Sequence, residues 1–239
     1  MKGKFIVFEG LDGSGTTTQT RLFTEKLTSL GVPVWATAEP VSESPTGRLI
    51  RTVLRGEESV TPETLAYLYA ADRHEHLYGK DGVIEHLEAG DTVICDRYKF
   101  SSLAYQSVNC NPEFVEALNK DFPNPDILFY LNTPVETCMK RIADRKSTPE
   151  IFEKENFLQK VSCNYLAAID NDSKSTSTIF TTIIPGDLPI EYIALEAFLN
   201  VGKASREIFH CCDKAELRKC VEAAYEREHE LIVTLGFSL

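Results

Sequence analysis

The sequence predicts an α/β fold in which helices cover both faces of a doubly wound parallel sheet. Short apolar runs alternate along the chain with longer segments of helical periodicity, a pattern typical of β-α-β units. Loop-forming or charged residues follow the apolar runs, and no internal repeat interrupts the alternation. The 239 residues are enough for one domain of this class with a full-sized core.

The first half of the chain supplies three of the expected strands. "KFIVFEG" is a compact apolar run that ends at glycine, as buried parallel strands do, and "VPVWATAEP" is a second strand that breaks at Pro40. A helix over "TTTQTRLFTEKLTSLG" joins them, because its apolar residues recur at helical spacing. Amphipathic helices are expected over residues 46–56 and 62–79, and "GVIEHLEAGD" ends another before the third strand, "TVICDRY".

The second half repeats the pattern. "PDILFYLNTP" predicts a fourth strand, followed by a helix over "VETCMKRIADR". "TIFTTII", near residues 178–184, predicts the last strand. "DNDSKSTST" (170–178) is the one polar stretch with the composition of a loop.

Charged side chains are concentrated where the predicted strands end. Glu9, Asp12, Glu39, Asp96 and Arg97 all fall at such positions. Ligands of open parallel sheets bind outside the carboxyl ends of the strands. We therefore expect these side chains to meet in one crevice.

Composition limits the classes of ligand and the cellular compartment. A balance of 25 Lys+Arg against 36 Asp+Glu gives a net charge of −11, which argues against general affinity for nucleic acid or an anionic membrane. Any phosphate must then be bound by a local cluster of donors. Seven cysteines without C-x-x-C spacing indicate reduced thiols in a cytoplasmic protein, and neither a cleavable signal nor a membrane-spanning apolar run is found.

A phosphate-binding loop is indicated by "GLDGSGTTT" (residues 10–18), between the first strand and the first helix. Small residues let backbone N–H groups turn toward an anion, and the following helix adds its positive N-terminus. Thr17 occupies the position whose hydroxyl binds Mg²⁺ in the pattern G-x-x-x-x-G-K-[ST], but Thr16 stands where that pattern has lysine. On this stretch alone, an ordinary strand–helix turn remains the alternative.

Two further clusters carry side chains suited to a nucleotide. In "DRYKFSSLAYQ" (96–106) Arg97 offers a planar fork for a phosphate, and Asp96 could hold a metal-bound water or position that arginine. In "YLYAADRHEHL" Tyr69 and Arg73 lie four residues apart and could stack on a base and bind its edge. Taken singly, a strand-end salt bridge and a core tyrosine beside a surface arginine are the alternatives.

In this order and separation the three clusters resemble the thymidylate kinase family, which phosphorylates dTMP at the expense of ATP. The matching stretches are "FIVFEGLDGSGTTTQ", "EP" at 39–40, "GRLIRTVL", "LYAADRHEHL", "GDTVICDRYKFSSLAYQ" and "ILFYLNTPVETCMKRIADR", over roughly residues 4–170. The resemblance implies a three-layer, P-loop NTPase-type fold. It assigns residues 1–200 to a P-loop nucleoside monophosphate kinase domain with a lid at about 142–156.

The resemblance places the donor nucleotide at the loop. Asp12 would lie between the two nucleotides as a catalytic group, and Thr17 with Asp96 would hold Mg²⁺. The phosphates of ATP would be surrounded by Gly10, Leu11, Asp12, Gly13, Ser14, Gly15, Thr16 and Thr17.

The acceptor phosphate and sugar are assigned to basic and aromatic side chains. Arg97, the second catalytic group, would bind the phosphate of dTMP together with Arg51. Tyr105 would lie against the deoxyribose, where its ring leaves no room for a 2′-hydroxyl. Transfer between two anions requires positioning and charge neutralisation more than a nucleophile–base pair, so arginines and Mg²⁺ are the groups to expect.

The thymine base is assigned to a neighbouring set. Tyr69 stands where the family usually has a phenylalanine stacked on thymine. Arg73 would bind the base edge, and Ser102 would help to read it. Glu39 and Pro40 would shape the acceptor pocket, and the resemblance suggests a cis peptide bond before Pro40.

The chain departs from the family at the charges near the transferred phosphate. Thr16 replaces the loop lysine, and Ile151 in "RKSTPEIFE" falls where the lid arginine would stand. Arg141, Arg145 and Lys146 remain nearby, and Arg141 and Arg145 are taken as candidate catalytic groups. Three outcomes stay open: one of these cations compensates, the enzyme is slow, or the protein binds nucleotides without phosphate transfer.

The resemblance fades after about residue 200, past "DLPIEYIALEAFL", which resembles the last helix of the family. The segment "DKAELRKCVEAAYEREHELIVTLG" has a capping-box-like start and an apolar stripe, so residues 201–239 are expected to form an extra C-terminal helix rather than a separate domain. A metal site in this segment is the alternative to packed thiols, from residues that fit no standard zinc spacing: His210, Cys211, Cys212, Cys220 and His229.

The function predicted from the sequence is Mg²⁺-dependent transfer of the γ-phosphate of ATP to dTMP, giving dTDP for dTTP synthesis. One alternative keeps the fold but takes another pyrimidine monophosphate. The other is a nucleotide-binding protein with weak or lost catalysis. The resemblance also implies a homodimer, and neither nucleic acid nor a membrane is expected as a partner.

Overall fold

The computed structural model describes residues 2–145, 150–174 and 179–204. Within them lies one sheet of five strands in the order β2-β3-β1-β4-β5, and every neighbouring pair is parallel. Strand β1 is therefore central, with β3 and β2 on one side and β4 and β5 on the other, as predicted for a doubly wound α/β fold. The strands are β1 (Phe5–Gly10), β2 (Val34–Ala38), β3 (Thr92–Asp96), β4 (Ile127–Asn132) and β5 (Phe180–Pro185).

Nine α-helices connect and flank the strands within the described residues. A short 3-10 segment, Gln106–Val108, follows the fifth of them. The helices are α1 (Thr16–Ser29), α2 (Pro45–Leu54), α3 (Pro62–Tyr78), α4 (Val83–Ala89), α5 (Lys99–Tyr105), α6 (Pro112–Asn119), α7 (Val135–Ala143), α8 (Glu155–Lys174) and α9 (Ile190–Ala204).

Two apolar layers hold helices against the opposite faces of the sheet. On one face Phe8 and Phe129 of the sheet meet Phe23 of α1, and Phe198 of α9 belongs to the same cluster. Helices α4, α5 and α8 pack on the other face, where Tyr165 of α8 lies against the sheet. Because both faces are covered, the inner strands β1, β3 and β4 are continuous apolar runs rather than alternating ones.

The register of the strands brings the polar strand ends together. Phe8 of β1 and Ala38 of β2 both pair with Asp96 of β3. The loops that follow these three strands therefore leave the sheet at the same edge. The peptide bond between Glu39 and Pro40, directly after β2, is cis as expected from the resemblance.

One local prediction was wrong. The polar stretch 170–178 was expected to be a loop, but α8 continues to Lys174. Asp170 and Lys174 form an i,i+4 ion pair at 2.5 Å on its exposed side, while Val161, Tyr165 and Ile169 bury the other side. Packing of the long helix against the sheet thus outweighs the weak helix propensity of its last residues.

Several predictions fall outside the described residues. These are the C-terminal helix and the His/Cys group beyond residue 204, and Lys146 in the lid. The cysteines that the structure describes, Cys95, Cys110, Cys138 and Cys163, are free thiols. In the same part of the chain, no helix has the length and apolarity needed to span a membrane.

Candidate active site

A cleft of about 450 Å³ opens at the carboxyl ends of β1, β2 and β3. It brings Arg73 and Arg97, from different clusters of the sequence, into a single site. The residues predicted from the sequence that line it are Asp12, Gly13, Gly15, Thr16, Thr17, Glu39, Pro40, Arg51, Tyr69, Arg73, Asp96, Arg97, Tyr105 and Arg145.

Other predicted residues lie behind the cleft wall. Leu11 is 1% exposed and belongs to the hydrophobic core, so its side chain is not in the cleft. Ser14 is buried, and the carbonyl of Gly10 accepts hydrogen bonds from Arg97 and Tyr165. Ser102 is also buried and accepts a hydrogen bond from Arg73 at 3.1 Å.

The loop after β1 has the backbone of an anion cradle. Gly13 and Gly15 have φ of 83° and 103°, the left-handed region that favours glycine. A Cβ on Gly13 would lie 2.6 Å from the carbonyl oxygen of Cys138, whereas a Cβ on Gly15 would meet only open space. Helix α1 starts after Gly15 with neither a side-chain cap nor an acidic residue in its first turn. Its free N–H groups can therefore bind an anion.

Arg141 holds this loop from outside. Its guanidinium donates to the carbonyl oxygens of Gly13, Ser14 and Gly186, at 3.3, 3.1 and 3.0 Å. It does not line the cleft, unlike Arg145, which lies at the end of the same helix segment. Arg141 thus fixes the carbonyl groups of the loop.

Thr17 and Asp96 form a pair of oxygen ligands at the loop. The Thr17 hydroxyl donates to Asp96 Oδ2 at 2.5 Å. The other carboxylate oxygen, Asp96 Oδ1, is buried and has no hydrogen-bond partner within the described residues. A hydroxyl and a carboxylate beside a phosphate cradle suit Mg²⁺, which binds few protein oxygens and keeps water and phosphate as its other ligands. The donors present therefore fit this ion.

Arg97 is fixed by Asp12 rather than by Asp96. Its guanidinium donates to Asp12 Oδ1 at 2.8 Å and to the Gly10 carbonyl at 2.8 Å, and it lies 5.4 Å from the centroid of the Tyr105 ring. The Tyr105 hydroxyl accepts the N–H of Asp12 at 2.9 Å. Arg97 also has a φ of 70°, a strained conformation for a side chain of this size.

A buried carboxylate lies beneath Arg97. Glu9 is fully buried and does not line the cleft, although its place at a strand end had suggested that it would. It accepts the N–H groups of Tyr98 and Ser101 and the hydroxyls of Ser101 and Tyr165, at 2.6 to 3.0 Å. Burial raises its pKa to about 7, against the lowering effects of these hydrogen bonds and of Arg97.

Arg73 is held by a shell of buried acceptors. Its Nε donates to Glu39 Oε2 at 2.8 Å, its Nη2 lies 2.7 Å from the same oxygen in an ion pair, and its Nη1 donates to Ser102 and to Asn119 Oδ1. Asn119 Nδ2 donates to the Val115 carbonyl, which fixes the orientation of the amide. Three of the five guanidinium N–H bonds, those on Nε and Nη1, donate hydrogen bonds, which leaves Nη2 for a ligand.

Asp72, the neighbour of Arg73, holds the segment that leads into α2. Its carboxylate accepts from the Val41 N–H at 2.8 Å and from the hydroxyls of Ser44 and Thr46 at 2.5 and 2.8 Å. Ser44 in turn caps α2 by accepting the N–H of Gly47. Through this contact α3 sets the position of the helix that carries Arg51.

The described part of the segment predicted as the lid borders the cleft beside α2. The Ile151 N–H donates to the Leu54 carbonyl at 3.0 Å, and Phe152 stacks on Phe157 at 4.8 Å. Glu150 Oε1 lies 3.8 Å from Arg51 Nη1. Burial, and then the charge of Asp12, raises the pKa of this carboxyl above its ordinary value, whereas Arg51 lowers it.

Sequence reasoning missed several residues of the site. Arg55 and Gln106 also line the cleft. Arg55 lies four residues after Arg51 on the same helical face, so helical spacing could have suggested it, and Gln106 directly follows Tyr105. Asn119 and Tyr165 come from helices α6 and α8, which carry no recognisable motif near them in the sequence. Only the three-dimensional fold brings them to Arg73 and Arg97.

Comparison with known proteins agrees with this geometry. The family model "Thymidylate kinase" matches residues 8–183. A thymidylate kinase of Leptospira interrogans is 37% identical over 179 residues, which are 72% of this chain and 86% of that protein. A protein of Methanocaldococcus jannaschii named "Probable thymidylate kinase" is 42% identical over 189 residues, 75% of this chain and 93% of that protein.

A solved structure supports the fold independently. The structure of thymidylate kinase from Candida albicans superposes with a TM-score of 0.71 at 23% identity, covering 84% of this chain and 92% of that one. The match to the family extends from β1 to β5 and so includes the glycine-rich loop after β1, both arginine clusters and the segment predicted as the lid. The chain belongs to the thymidylate kinase family.

Proposed function

We propose that the protein transfers the γ-phosphate of ATP to dTMP, and that both nucleotides bind in the cleft described above. The observation that carries the proposal is the continuity of this cleft from the glycine cradle to the buried Arg73. The loop offers backbone N–H groups to a polyphosphate, and Arg73 offers its Nη2 to the edge of a base. Arg97 and Arg51 line the same cleft, where they would bind the acceptor phosphate.

Some residues of the cleft would bind and orient the nucleotides, and others would neutralise the charge of their phosphates. The loop orients the donor phosphates, and Arg141 supports it from outside. Asp12 fixes the guanidinium of Arg97, so that its charge is preorganised for the acceptor phosphate. Thr17 and Asp96 would hold Mg²⁺, which when bound supplies positive charge to the phosphate oxygens.

We further propose that the working protein is a cytoplasmic homodimer in which residues 201–239 belong to the kinase domain. The free thiols of the described cysteines support a reducing compartment. The exposed aromatic residues Tyr67 and Tyr78 on α3 support a covered surface on this helix. Light scattering on the full chain measures the oligomeric state directly.

A coupled assay of ADP release tests the activity. ATP and Mg²⁺ are supplied with dTMP, dUMP or another pyrimidine monophosphate in turn, and we expect the largest kcat/KM with dTMP. Because one methyl group changes binding by only about 1–3 kcal/mol, dUMP is expected to be a weaker acceptor rather than an inert one. ADP release that no monophosphate stimulates, with calorimetric binding of both nucleotides intact, would favour a binding protein without catalysis.

A further inference from the structure

Tyr69 differs from the phenylalanine that the family usually has at this position, and its hydroxyl is unaccounted for by base stacking. The side chain belongs to α3 and packs beside the apolar cluster formed by α2 and α3, which contains Ile50, Val53 and Leu54. It also lines the cleft. Among the described residues, the hydroxyl has no hydrogen-bond partner.

The charges around the hydroxyl identify the end of the cleft that it faces. Tyr69 packs against the apolar cluster of α2, the helix that carries Arg51, and it lines the cleft together with Asp12, Arg51, Arg97 and Glu150. The same four groups are the charges that act on its phenol. Asp12 and Arg97 form the ion pair at the centre of the cleft, and Arg51 approaches Glu150. The shell of Arg73 lies at the other end, where Glu39 and Asn119 hold the guanidinium. The hydroxyl therefore belongs to the phosphate end of the acceptor pocket.

The hydroxyl is suited to act as a donor there. Burial, followed by the negative charge of Asp12, raises the pKa of Tyr69 above its ordinary value, although both arginines lower it. The phenol thus keeps its proton at any pH at which a kinase works. A protonated hydroxyl beside two guanidinium groups can donate to an anionic oxygen without adding a charge that needs compensation.

From this placement, and resting on the proposed function, we infer that the Tyr69 hydroxyl donates a hydrogen bond to the 5′-phosphate of the acceptor nucleotide, as a third donor beside Arg51 and Arg97. The ring would serve as the apolar wall that a phenylalanine provides, and the hydroxyl would add a contact specific to the phosphate. Three groups, Arg51, Arg97 and the Tyr69 hydroxyl, would then bind the phosphate, and together they would favour a nucleotide over a nucleoside.

The variant Tyr69→Phe removes this hydroxyl and keeps the ring, so it tests the inference with little risk to folding. The matched control is Tyr67→Phe on the same helix, because Tyr67 is 54% exposed and packs on Phe114. The affinity for dTMP is measured by calorimetry, and that for thymidine by competitive inhibition of dTMP phosphorylation. Thermal unfolding of the three proteins verifies that they fold alike.

We expect Tyr69→Phe to weaken dTMP binding by roughly 10- to 100-fold, as for a lost hydrogen bond to a charged group, while thymidine binding and the KM for ATP stay unchanged. Equal weakening of dTMP and thymidine would overturn the inference, because the hydroxyl would then serve the sugar or the base. Unchanged binding of both ligands would overturn it as well. Wild-type protein that binds no dTMP would overturn the proposed function, and the inference with it.

Discussion

At the scale of single residues, the main question is which cation faces the transferred phosphate when Thr16 replaces the loop lysine. Thr16 is buried in the cleft wall and brings no charge. The guanidinium of Arg141 already donates to the carbonyl groups of Gly13, Ser14 and Gly186. Arg145 is exposed and lines the cleft, and its guanidinium makes no hydrogen bond to any described residue, although its backbone N–H donates to the Ile142 carbonyl. It is therefore the arginine that is free to reach a phosphate.

We predict that Arg145→Ala lowers kcat by about 10²- to 10³-fold, the effect of removing one preorganised donor to the transition state. Adding Thr16→Lys to this variant should restore part of the loss, because the new ammonium group would occupy the usual position in the loop. Steady-state kinetics with saturating ATP and dTMP measure both effects.

Arg21→Ala is the control for a lost surface arginine, since Arg21 is 59% exposed and pairs only with Glu25 on α1. It should leave kcat unchanged. The assignment of Arg145 fails if Thr16→Lys alone raises kcat by orders of magnitude, because nothing in the native chain would then be compensating for the lysine.

At the scale of elements, the contact between α3 and the start of α2 links the base end of the cleft to the phosphate end. Asp72 receives three hydrogen bonds, from Val41 and Ser44 before α2 and from Thr46 in its first turn, and the next residue, Arg73, lines the cleft. In the proposed function, two adjacent residues of one helix thus set both the reading of the base and the position of Arg51. A substitution of Asp72 should therefore change the binding of the acceptor nucleotide and leave the binding of the donor nucleotide unchanged.

We predict that Asp72→Asn raises the KM for dTMP by about 10-fold and leaves the KM for ATP unchanged. The amide replaces one carboxylate oxygen by a donor that faces other donors, which costs about 1–3 kcal/mol of unfolding free energy for a buried group. Kinetics and thermal unfolding measure the two consequences. Asp170→Asn, on the exposed end of α8, is the matched control, and an equal rise in both KM values in Asp72→Asn would contradict the proposed coupling.

The elements that could be predicted from the sequence are those with local signals. The three inner strands β1, β3 and β4 are buried on both faces, so each is an apolar run, and the loop sequences "GLDGSGTTT" and "DRYKFSSLAYQ" follow β1 and β3 directly. The helical character of residues 170–174 was missed because Asp, Asn and Ser favour turns unless packing decides otherwise. The roles of Asn119 and Tyr165 were missed because they reach the site from 46 and 68 residues away from Arg73 and Arg97.

At the scale of the whole molecule, Glu9 joins elements that are far apart in the chain. It stands at the end of the central strand β1 and accepts hydrogen bonds from the start of α5 and from Tyr165 of α8. Tyr165 and Ser101 also accept from Arg97. The carboxyl group thus connects the sheet to α5 and α8 beneath Arg97. Its pKa is raised only in the folded protein, because folding buries it.

The stability of the whole molecule should therefore depend on pH through Glu9. Burial raises its pKa from 4.5 to about 7, so between these values the folded protein binds a proton that the unfolded chain releases. This contribution to stability is fully present below about pH 4.5 and is lost as pH rises through about 7, by a total on the order of 3 kcal/mol. Glu9→Gln keeps an oxygen for the Tyr98 and Ser101 N–H groups and cannot ionise. Thermal unfolding between pH 5 and 8 should show wild type losing stability relative to Glu9→Gln as pH rises, and a difference that is independent of pH would mean that Glu9 does not titrate in this range.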